Sequence, residues 1–327
     1  MKPASRARNR ATLRSVRWFI IAAGVCAAAI VPQLTTRSDV LNLLFLIFLY
    51  IVLGQSWNIL AGFAGHVSLG HAALFGLGAL VARTLWFNGV PFPLAFLVGG
   101  LVPAVCALLI GLPTFRLHGA YFSIGTLAIA EGLRITVSNT LPLISSLPVE
   151  VLANYDLAAR YYLALGVALA TMLATWLLWR SRFILGMLAI REDEAAAQAS
   201  GVRVLPHKLA AFALSSFFAG LAGATYAFYQ VGYYPAATFA PGWTFDVLLI
   251  TFIGGVGTVI GPVLGAVFYI IARERLAVTL VSLHPIIFGV LFILVVLVFP
   301  GGLVDIWTRG RRWVRQRQFK PQRLPSD

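Results

Sequence analysis

The sequence predicts an all-α integral membrane protein, a polytopic bundle of about 8–10 transmembrane helices with glycine-broken or re-entrant segments. Hydrophobic residues make up 60% of the chain and charged residues only 11%, whereas a soluble domain carries about 25% charged residues because its surface faces water. Apolar stretches long enough to cross a bilayer recur along nearly the whole chain, and basic residues cluster between them and at both ends. Together these observations predict that lipid surrounds the protein.

Nine apolar windows are the candidate spans. The first follows a basic segment but ends at Pro32 without a small-residue cleavage site, so we predict that it is retained as a span and is not a signal peptide. The windows lie at about residues 18–34, 40–60, 67–87, 92–112, 119–138, 160–179, 208–230, 244–271 and 284–300.

The basic residues predict the orientation of the chain in the membrane. The net charge is +14, and of the 25 Lys and Arg residues six lie in 1–17, five in 180–208 and seven in 309–323. Because cytoplasmic loops carry an excess of Lys and Arg, both termini and the central loop are predicted to be cytoplasmic. The clusters have no fold of their own and no recognisable nucleic-acid-binding motif, so no nucleic-acid partner is predicted.

Three parts follow from this pattern: a basic cytoplasmic segment at 1–17, a transmembrane domain at 18–305 that includes a cytoplasmic loop at 180–207, and a basic cytoplasmic tail at 306–327. Nine crossings would leave the tail outside, so one window must be miscounted. Window 244–271 is the candidate because GGVGTVIGP at its centre weakens a continuous helix. We predict two short half-spans there, or a re-entrant pair.

A similar glycine-rich stretch occurs earlier in the chain, around residues 62–71. Paired broken segments in the two halves of a carrier often mark inverted repeats and a binding site near the membrane midplane. The alternative is that the glycines only allow close helix packing. The candidate residues of the two stretches are Gly62, Gly65, Ser68, Gly70, His71, Gly254, Gly255, Gly257 and Gly261.

Three of the charged residues within the apolar windows are candidates for a structural or pathway role. Glu131 and Arg134 lie one helical turn apart, and a lone charge in lipid costs about 2.5–3.5 kcal/mol or more. We therefore expect them to face protein or water and to pair at i, i+3. They and Asp246 are either structural charges or pathway charges.

The longest polar stretch predicts a short helix over Arg191–Gly201, with acidic residues at its start and Gly201 as its C-terminal cap. It is either a solvated surface helix or a docking element for a partner. The sequence has no Gly-Lys dipeptide, so the nucleotide-binding P-loop is absent and any ATPase must be another chain. Serine-hydrolase and metalloprotease motifs are absent as well, and no metal-ligand spacing involves the histidines or the two cysteines. An enzyme is therefore not predicted.

Several blocks of sequence carry a family resemblance. They are GHVSLGHAALFGLGA at 65–79, GAYFSIGTLAIAE at 119–131, AIREDEAA at 189–196, FFAGLAGA at 217–224, GGVGTVIGP at 254–262 and FPGGL at 299–303. In this order, over about residues 40–305, they resemble LivM-type permeases, the membrane subunits of branched-chain amino-acid ABC importers. The resemblance adds Tyr121, Ser123 and Thr126 to the candidate pathway residues.

The resemblance implies a bacterial inner-membrane importer with several subunits. The implied partners are a second, LivH-like permease, two cytoplasmic ATPase subunits and a periplasmic substrate-binding protein. ATP and Mg would be bound by the ATPase subunits, and this chain would bind no cofactor. The residues that resemble the ATPase coupling helix are Arg191, Glu192, Asp193, Glu194, Ala195, Ala196 and Gly201.

One departure leaves the cargo open. After the fifth window, family members usually show a Thr-Gly-Gly motif, whereas this chain has NTLPLISSLPVE at 139–150. The predicted outer loop at 139–159 must therefore fold differently. Branched-chain or other hydrophobic amino acids are the implied substrates, with helix ends at the breaks binding their ionic groups. The alternatives are another small polar solute such as urea or an amide, a stand-alone secondary carrier, and an assembly protein without a pathway.

Overall fold

The structure is a computed structural model that describes residues 24, 26–35, 37–141, 145–146, 155–279, 289–290, 293 and 301–305. The predicted basic ends at 1–17 and 306–327 and almost all of window 284–300 lie outside these residues.

The described residues are almost entirely helical, as predicted. Helix α1 occupies 26–34 and α2 is Ser38–Trp57, which continues as a π-helical turn over Asn58–Phe63. The other long helices are α3 His71–Phe87, α4 Phe92–Thr114, α5 Ala120–Thr140, α6 Leu157–Arg180, α9 Val204–Tyr229, α11 Gly242–Gly254 and α12 Gly261–Thr279. Shorter helices are α7 Phe183–Glu192, α8 Glu194–Ala199 and α10 Pro235–Thr238.

The described residues contain five helical segments long and apolar enough to cross a membrane, with His71–Phe87 as a shorter apolar helix. The exposed side of α4 is covered by large aliphatic side chains, and the helix contains no charged residue. Such a surface is suited to contact with lipid. These side chains are Leu94, Leu97, Leu101, Val105, Leu108, Leu109 and Leu112. The chain is a multi-pass membrane protein.

Window 244–271 is interrupted, which confirms the predicted break. Helix α11 ends at Gly254, and the next residue, Gly255, has φ +123°. Close approaches then pair Gly254 with Gly261, and the Asp246 carboxylate with the Tyr269 hydroxyl at 2.6 Å. Because the pairing runs in opposite directions along the two helices, α11 and α12 form an antiparallel hairpin. One predicted window is therefore two antiparallel helices.

Helix α9 is the centre of the bundle and packs against α2, α3, α4 and α6. Glycines allow the closest contacts. A Cβ on Gly220 would lie 2.6 Å from the Gly99 carbonyl oxygen, and a Cβ on Gly99 would lie 2.9 Å from that of Gly78. Small residues let backbones approach where lipid supplies no hydrophobic driving force. The packing interpretation of glycine therefore holds at this three-helix contact.

Two buried arginines that the sequence analysis did not single out cap the C-terminal end of α9. Arg83 of α3 donates to the Ala227 carbonyl at 3.2 Å and the Val231 carbonyl at 3.0 Å, and Arg160 of α6 donates to the Phe228 carbonyl at 3.0 Å. Cations are favourable at a helix C-terminus, where carbonyls lack intrahelical partners.

The predicted outer loop is described only in part. Ser145–Ser146 pairs antiparallel with Gly232–Tyr233, which follows α9, and this two-residue pairing is the β structure seen within the described part of the chain. Asp156 ends the loop as the N-cap of α6, where its carboxylate accepts hydrogen bonds from two backbone amides.

Candidate functional site

The two glycine-rich interruptions contact each other. The first break is residues 58–70, from the π-helical turn to the start of α3, and the second break is residues 255–260, between α11 and α12. The Asn58 side chain joins them, because its Nδ2 donates to the Thr258 carbonyl at 2.9 Å and its Oδ1 accepts from the Gly257 amide at 2.8 Å. The Asn58 side-chain amide thus supplies hydrogen-bond partners to two backbone groups that lie outside any helix. Backbone N–H and C=O groups away from water need such partners.

Gln55, one turn earlier on α2, makes a second connection. Its Nε2 donates to the Val259 carbonyl at 2.6 Å, while its Oε1 is buried without a hydrogen-bond partner. The two breaks also approach each other closely at Gly62 and Gly257, two of the predicted break glycines. A Cβ on Gly62 would lie 2.7 Å from the Gly257 nitrogen. No side chain fits between the breaks at Gly62 without moving one of them.

Arg191 of α7 lies against both breaks. Its Nη1 donates to the Gly62 carbonyl at 2.6 Å, and the same atom would lie 2.6 Å from a Cβ on Gly257. Gly65, with φ +76°, would place a Cβ 3.0 Å from the Arg191 Cα. The structure therefore brings together Gly62, Gly65, Gly257 and Arg191, which the sequence analysis had assigned to two different sites.

Helix α5 fastens the first break from another side. The Ser123 hydroxyl donates to the Val67 carbonyl at 2.6 Å, and the Thr126 hydroxyl accepts from the Leu69 amide at 3.1 Å. A Cβ on Gly70 would lie 2.7 Å from the Thr126 carbonyl oxygen. Ser123 and Thr126 thus hold the break in place, whereas Tyr121 points outward with 72% of its surface exposed.

The start of α3 is closed by the protein's own side chains. The amides of residues 69, 70 and 72 donate to the hydroxyls of Thr126, Ser68 and Thr244 at 3.1, 3.2 and 2.8 Å. Of these three, the Ala72 amide lies in the first turn of α3, where a helix offers free N–H groups to an anion. The Ala72 amide thus has a partner within the chain, and the binding of an ionic group of the substrate at a broken helix stays a prediction.

His71 connects three helices within the core. Its Nε2 lies 2.9 Å from the Ser215 hydroxyl of α9, which donates to the Ser56 carbonyl of α2 at 2.6 Å. The ring is buried, and its Nδ1 has no hydrogen-bond partner. His71 therefore contributes to packing between α2, α3 and α9.

The polar loop contains two helices, so the prediction of one helix over Arg191–Gly201 is wrong. Arg191 and Glu192 are the last residues of α7, and Asp193 is extended at φ −156°. The Asp193 Oδ1 accepts from the Ala196 amide at 3.0 Å, which caps α8. An aspartate that bonds to nearby backbone amides favours a helix start over a helix interior, and this explains the break.

The other end of α8 has the predicted glycine cap. Gly201 has φ +87°, its amide donates to the Gln198 carbonyl at 3.0 Å, and the Val202 amide donates to the Ala197 carbonyl at 3.0 Å. These two bonds form a Schellman motif, in which glycine adopts the left-handed conformation at no steric cost. The exposed residues of this short helix and its cap are Ala195, Ala196, Gln198, Ala199, Ser200 and Gly201.

An ion pair links α8 to the bundle. Lys208, on the second turn of α9, is 2% exposed and places its Nζ 2.5 Å from the Glu194 carboxylate. Burial, together with the positive charge of Lys208, lowers the pKa of the neighbouring His66 below its ordinary value. Because the Lys208–Glu194 pair joins the two helices, α8 is held electrostatically to α9.

The comparisons with known proteins fit this membrane architecture. A family model described as "Branched-chain amino acid transport system / permease component" matches residues 40–296. The chain belongs to this permease family. The LivM permease of Salmonella typhimurium is 28% identical over 335 residues, which covers 92% of this chain and 78% of the relative. LivM of Escherichia coli is 28% identical over 321 residues, covering 88% and 75%.

Other relatives of this permease have names that refer to other solutes. The galactose/methyl galactoside import permease of Escherichia coli is 28% identical over 243 residues, covering 64% of this chain and 70% of the relative. No solved structure matches the chain significantly. The homologues are thus transporter subunits, and their names span more than one class of solute.

The three charged residues that were candidates for structural or pathway charges, Glu131, Arg134 and Asp246, all lie in ion pairs. Glu131 and Arg134 form the i, i+3 pair on α5, with the Arg134 Nε 2.9 Å from the Glu131 Oε2 and each side chain more than a third exposed. Asp246 accepts from the Tyr50 and Tyr269 hydroxyls at 2.6 Å each and pairs with Arg273 at 3.2 Å.

Sequence reasoning missed several residues that the permease uses at this site. Gln55 and Asn58 are polar residues in an otherwise apolar span, and that exception was the signal that could have found them. Lys208 begins an apolar window, and its charge counted only toward orientation. Arg273 follows window 244–271 and was not singled out. Among the described residues, no group of three or more His, Cys, Asp or Glu side chains is arranged to hold a metal ion.

Proposed function

We propose that this chain is one membrane subunit of an ATP-driven importer for branched-chain or other hydrophobic amino acids in the bacterial inner membrane. The family match over residues 40–296 supports the permease role. The LivM relatives support the amino-acid cargo, since the chain covers three quarters or more of their length. A LivH-like permease, two ATPase subunits and a periplasmic binding protein complete the proposed complex.

The observation that carries the coupling part of this proposal is the construction of α8. It is capped at both ends, by Asp193 and Gly201, and its small residues are exposed where a partner can approach closely. It is also attached to the bundle through Glu194 and Lys208. A rigid, exposed element tied to the central helix is what transmission of movement from an ATPase requires.

We place the pathway along the exposed face of α5 and not at the two breaks. The exposed side of α4 is aliphatic, whereas α5 carries the Glu131–Arg134 pair beside an exposed face with Tyr121. Charges are costly against lipid but not against water or a second permease subunit. Helix α5 is therefore the side of the chain that borders the pathway, and the zwitterionic substrate passes along few fixed charges.

A second candidate function is import of another solute by the same machinery. The sugar-permease relatives favour it, because they match over about two thirds of the chain. A stand-alone secondary carrier has less support, since such carriers use a proton- or ion-coupling carboxylate. The two candidates for that role, Glu131 and Asp246, are both paired with arginines.

Reconstitution with the partner subunits tests the proposal. Vesicles that contain the full complex should accumulate labelled leucine only when ATP and the binding protein are present. Labelled urea and galactose serve as the alternative cargoes. ATP-driven uptake of urea or galactose without leucine uptake would support the second candidate function. Leucine uptake without ATPase subunits would indicate a secondary carrier.

A further inference from the structure

Arg191 contacts two segments that are far apart in the sequence. Its guanidinium donates to the Gly62 carbonyl in the first break, at 2.6 Å, and occupies the space beside Gly257 in the second break. Its own backbone packs against Gly65. A single side chain from the polar loop therefore occupies the point where the two breaks meet.

The position of Arg191 in the chain connects this contact to α8. It lies on the last turn of α7, two residues before Asp193, the N-cap of α8. The carbonyl that it binds belongs to the C-terminal end of the α2 segment, where partial negative charge favours a cation. Because only Glu192 and Asp193 separate Arg191 from α8, a displacement of α8 acts through two residues on the Arg191 backbone and its contact to Gly62.

The contact is strong enough to order the breaks and accessible enough to open. A hydrogen bond from a charged donor contributes more than a neutral one. The Arg191 side chain is also 38% exposed, so water can replace the Gly62 carbonyl when the contact opens. The Arg191–Gly62 hydrogen bond can therefore form and break as the protein changes state. A fully buried arginine could not lose its partner without a large energetic cost.

We infer that Arg191 is a positioning residue that locks the two helix breaks together and passes the displacement of α8 to them. The inference about transmission rests on the proposed function, because it takes α8 to be the element that an ATPase moves. The lock itself depends only on the contacts among Arg191, Gly62 and Gly257. The two parts therefore have separate tests.

Hydrogen exchange of the full chain in lipid nanodiscs tests the lock. The Arg191→Met variant should exchange the amides of residues 58–70 and 255–260 about tenfold faster, the factor expected for losing one charge-assisted hydrogen bond. Arg191→Lys should restore part of the protection, since lysine can still donate to the Gly62 carbonyl. Arg182→Met, an exposed arginine of the same loop, is the matched control. Parental exchange in Arg191→Met would overturn the lock.

Uptake by the assembled complex tests the transmission. Arg191→Met should keep the ATPase subunits bound on purification and lower ATP-driven uptake of labelled leucine by about tenfold, whereas Arg182→Met should transport normally. Loss of bound ATPase from Arg191→Met would instead make Arg191 a docking residue and overturn the inference. Absence of leucine uptake by the parent complex would refute the proposed function, and the exchange result would still decide the lock.

Discussion

Two side-chain amides, those of Gln55 and Asn58, take the place of backbone hydrogen bonds that the second break gives up. The sequence identifies the glycines of both breaks because glycine is a local signal of interrupted helix. It does not identify the amides, since their partners lie about 200 residues away in the chain. The first half of the site was thus predictable, and its long-range partners were not.

Asn58→Leu should destabilise the chain. The substitution leaves the half-buried Gly257 amide and Thr258 carbonyl without their partner. An unsatisfied group costs up to about 1–3 kcal/mol when it is fully buried, and this is the upper value for each of these two groups. Thermal unfolding in nanodiscs should show a lower midpoint than the parent. Asn88→Leu is the control, because Asn88 is exposed and donates only within its own turn, to the Thr84 carbonyl. Equal midpoints for both variants would show that the Asn58 bonds contribute nothing.

Glu131 and Arg134 should behave as a coupled pair. Glu131→Gln alone leaves the Arg134 charge uncompensated at the membrane, whereas changing both residues to Gln removes both charges. We expect the single variant to insert and transport less well than the double variant. A double-mutant cycle that compares membrane yield and leucine uptake measures this. Parental behaviour of Glu131→Gln would show that the pair is not coupled.

The polar loop shows how elements begin and end. Acidic residues followed by alanines predict helix, and Gly201 marks its end, as found. The break at Asp193 was not predicted, because the carboxylate could equally have remained in the first turn of one longer helix. Only the position of the Ala196 amide decides that Asp193 is an N-cap. Local composition therefore gave the location of α8 but not its start.

Gly201→Val should uncouple α8 from its partner. A β-branched residue at φ +87° is strained, so the Schellman cap and the orientation of α8 should be lost while the membrane helices stay intact. Gly201→Asn is the matched control, because asparagine tolerates the left-handed conformation. Co-purification should show less bound ATPase for Gly201→Val and near-parental amounts for Gly201→Asn. Equal ATPase retention by both would remove the coupling role from this helix.

For the molecule as a whole, the α11–α12 hairpin bears on the predicted number of crossings. An antiparallel hairpin returns the chain to the side from which it entered, so the other eight predicted windows give an even number of crossings and allow the basic N-terminus and C-terminus to share one side. The glycines at 254–261 predicted this interruption because Gly-Pro disfavours continuous helix. The tight α3–α4–α9 contact was less predictable, since glycine spacing alone does not say which helices meet.

Cysteine labelling in intact cells tests this topology. A cysteine at Ser326 should be protected from an impermeant reagent, and one at Asn88, in the exposed turn between α3 and α4, should react. The expectation follows from the basic residues near the tail and their cytoplasmic preference. Labelling of Ser326→Cys without cell lysis would place the tail outside and restore an odd number of crossings.

Uptake of labelled leucine by vesicles that contain the full set of subunits tests most directly that this chain is the membrane subunit of an ATP-driven amino-acid importer. We predict accumulation that requires ATP, the ATPase subunits and the binding protein, and that falls when Gly201→Val displaces the coupling helix. Accumulation that persists without ATPase subunits, or a complete complex that hydrolyses ATP but moves no leucine, would contradict it.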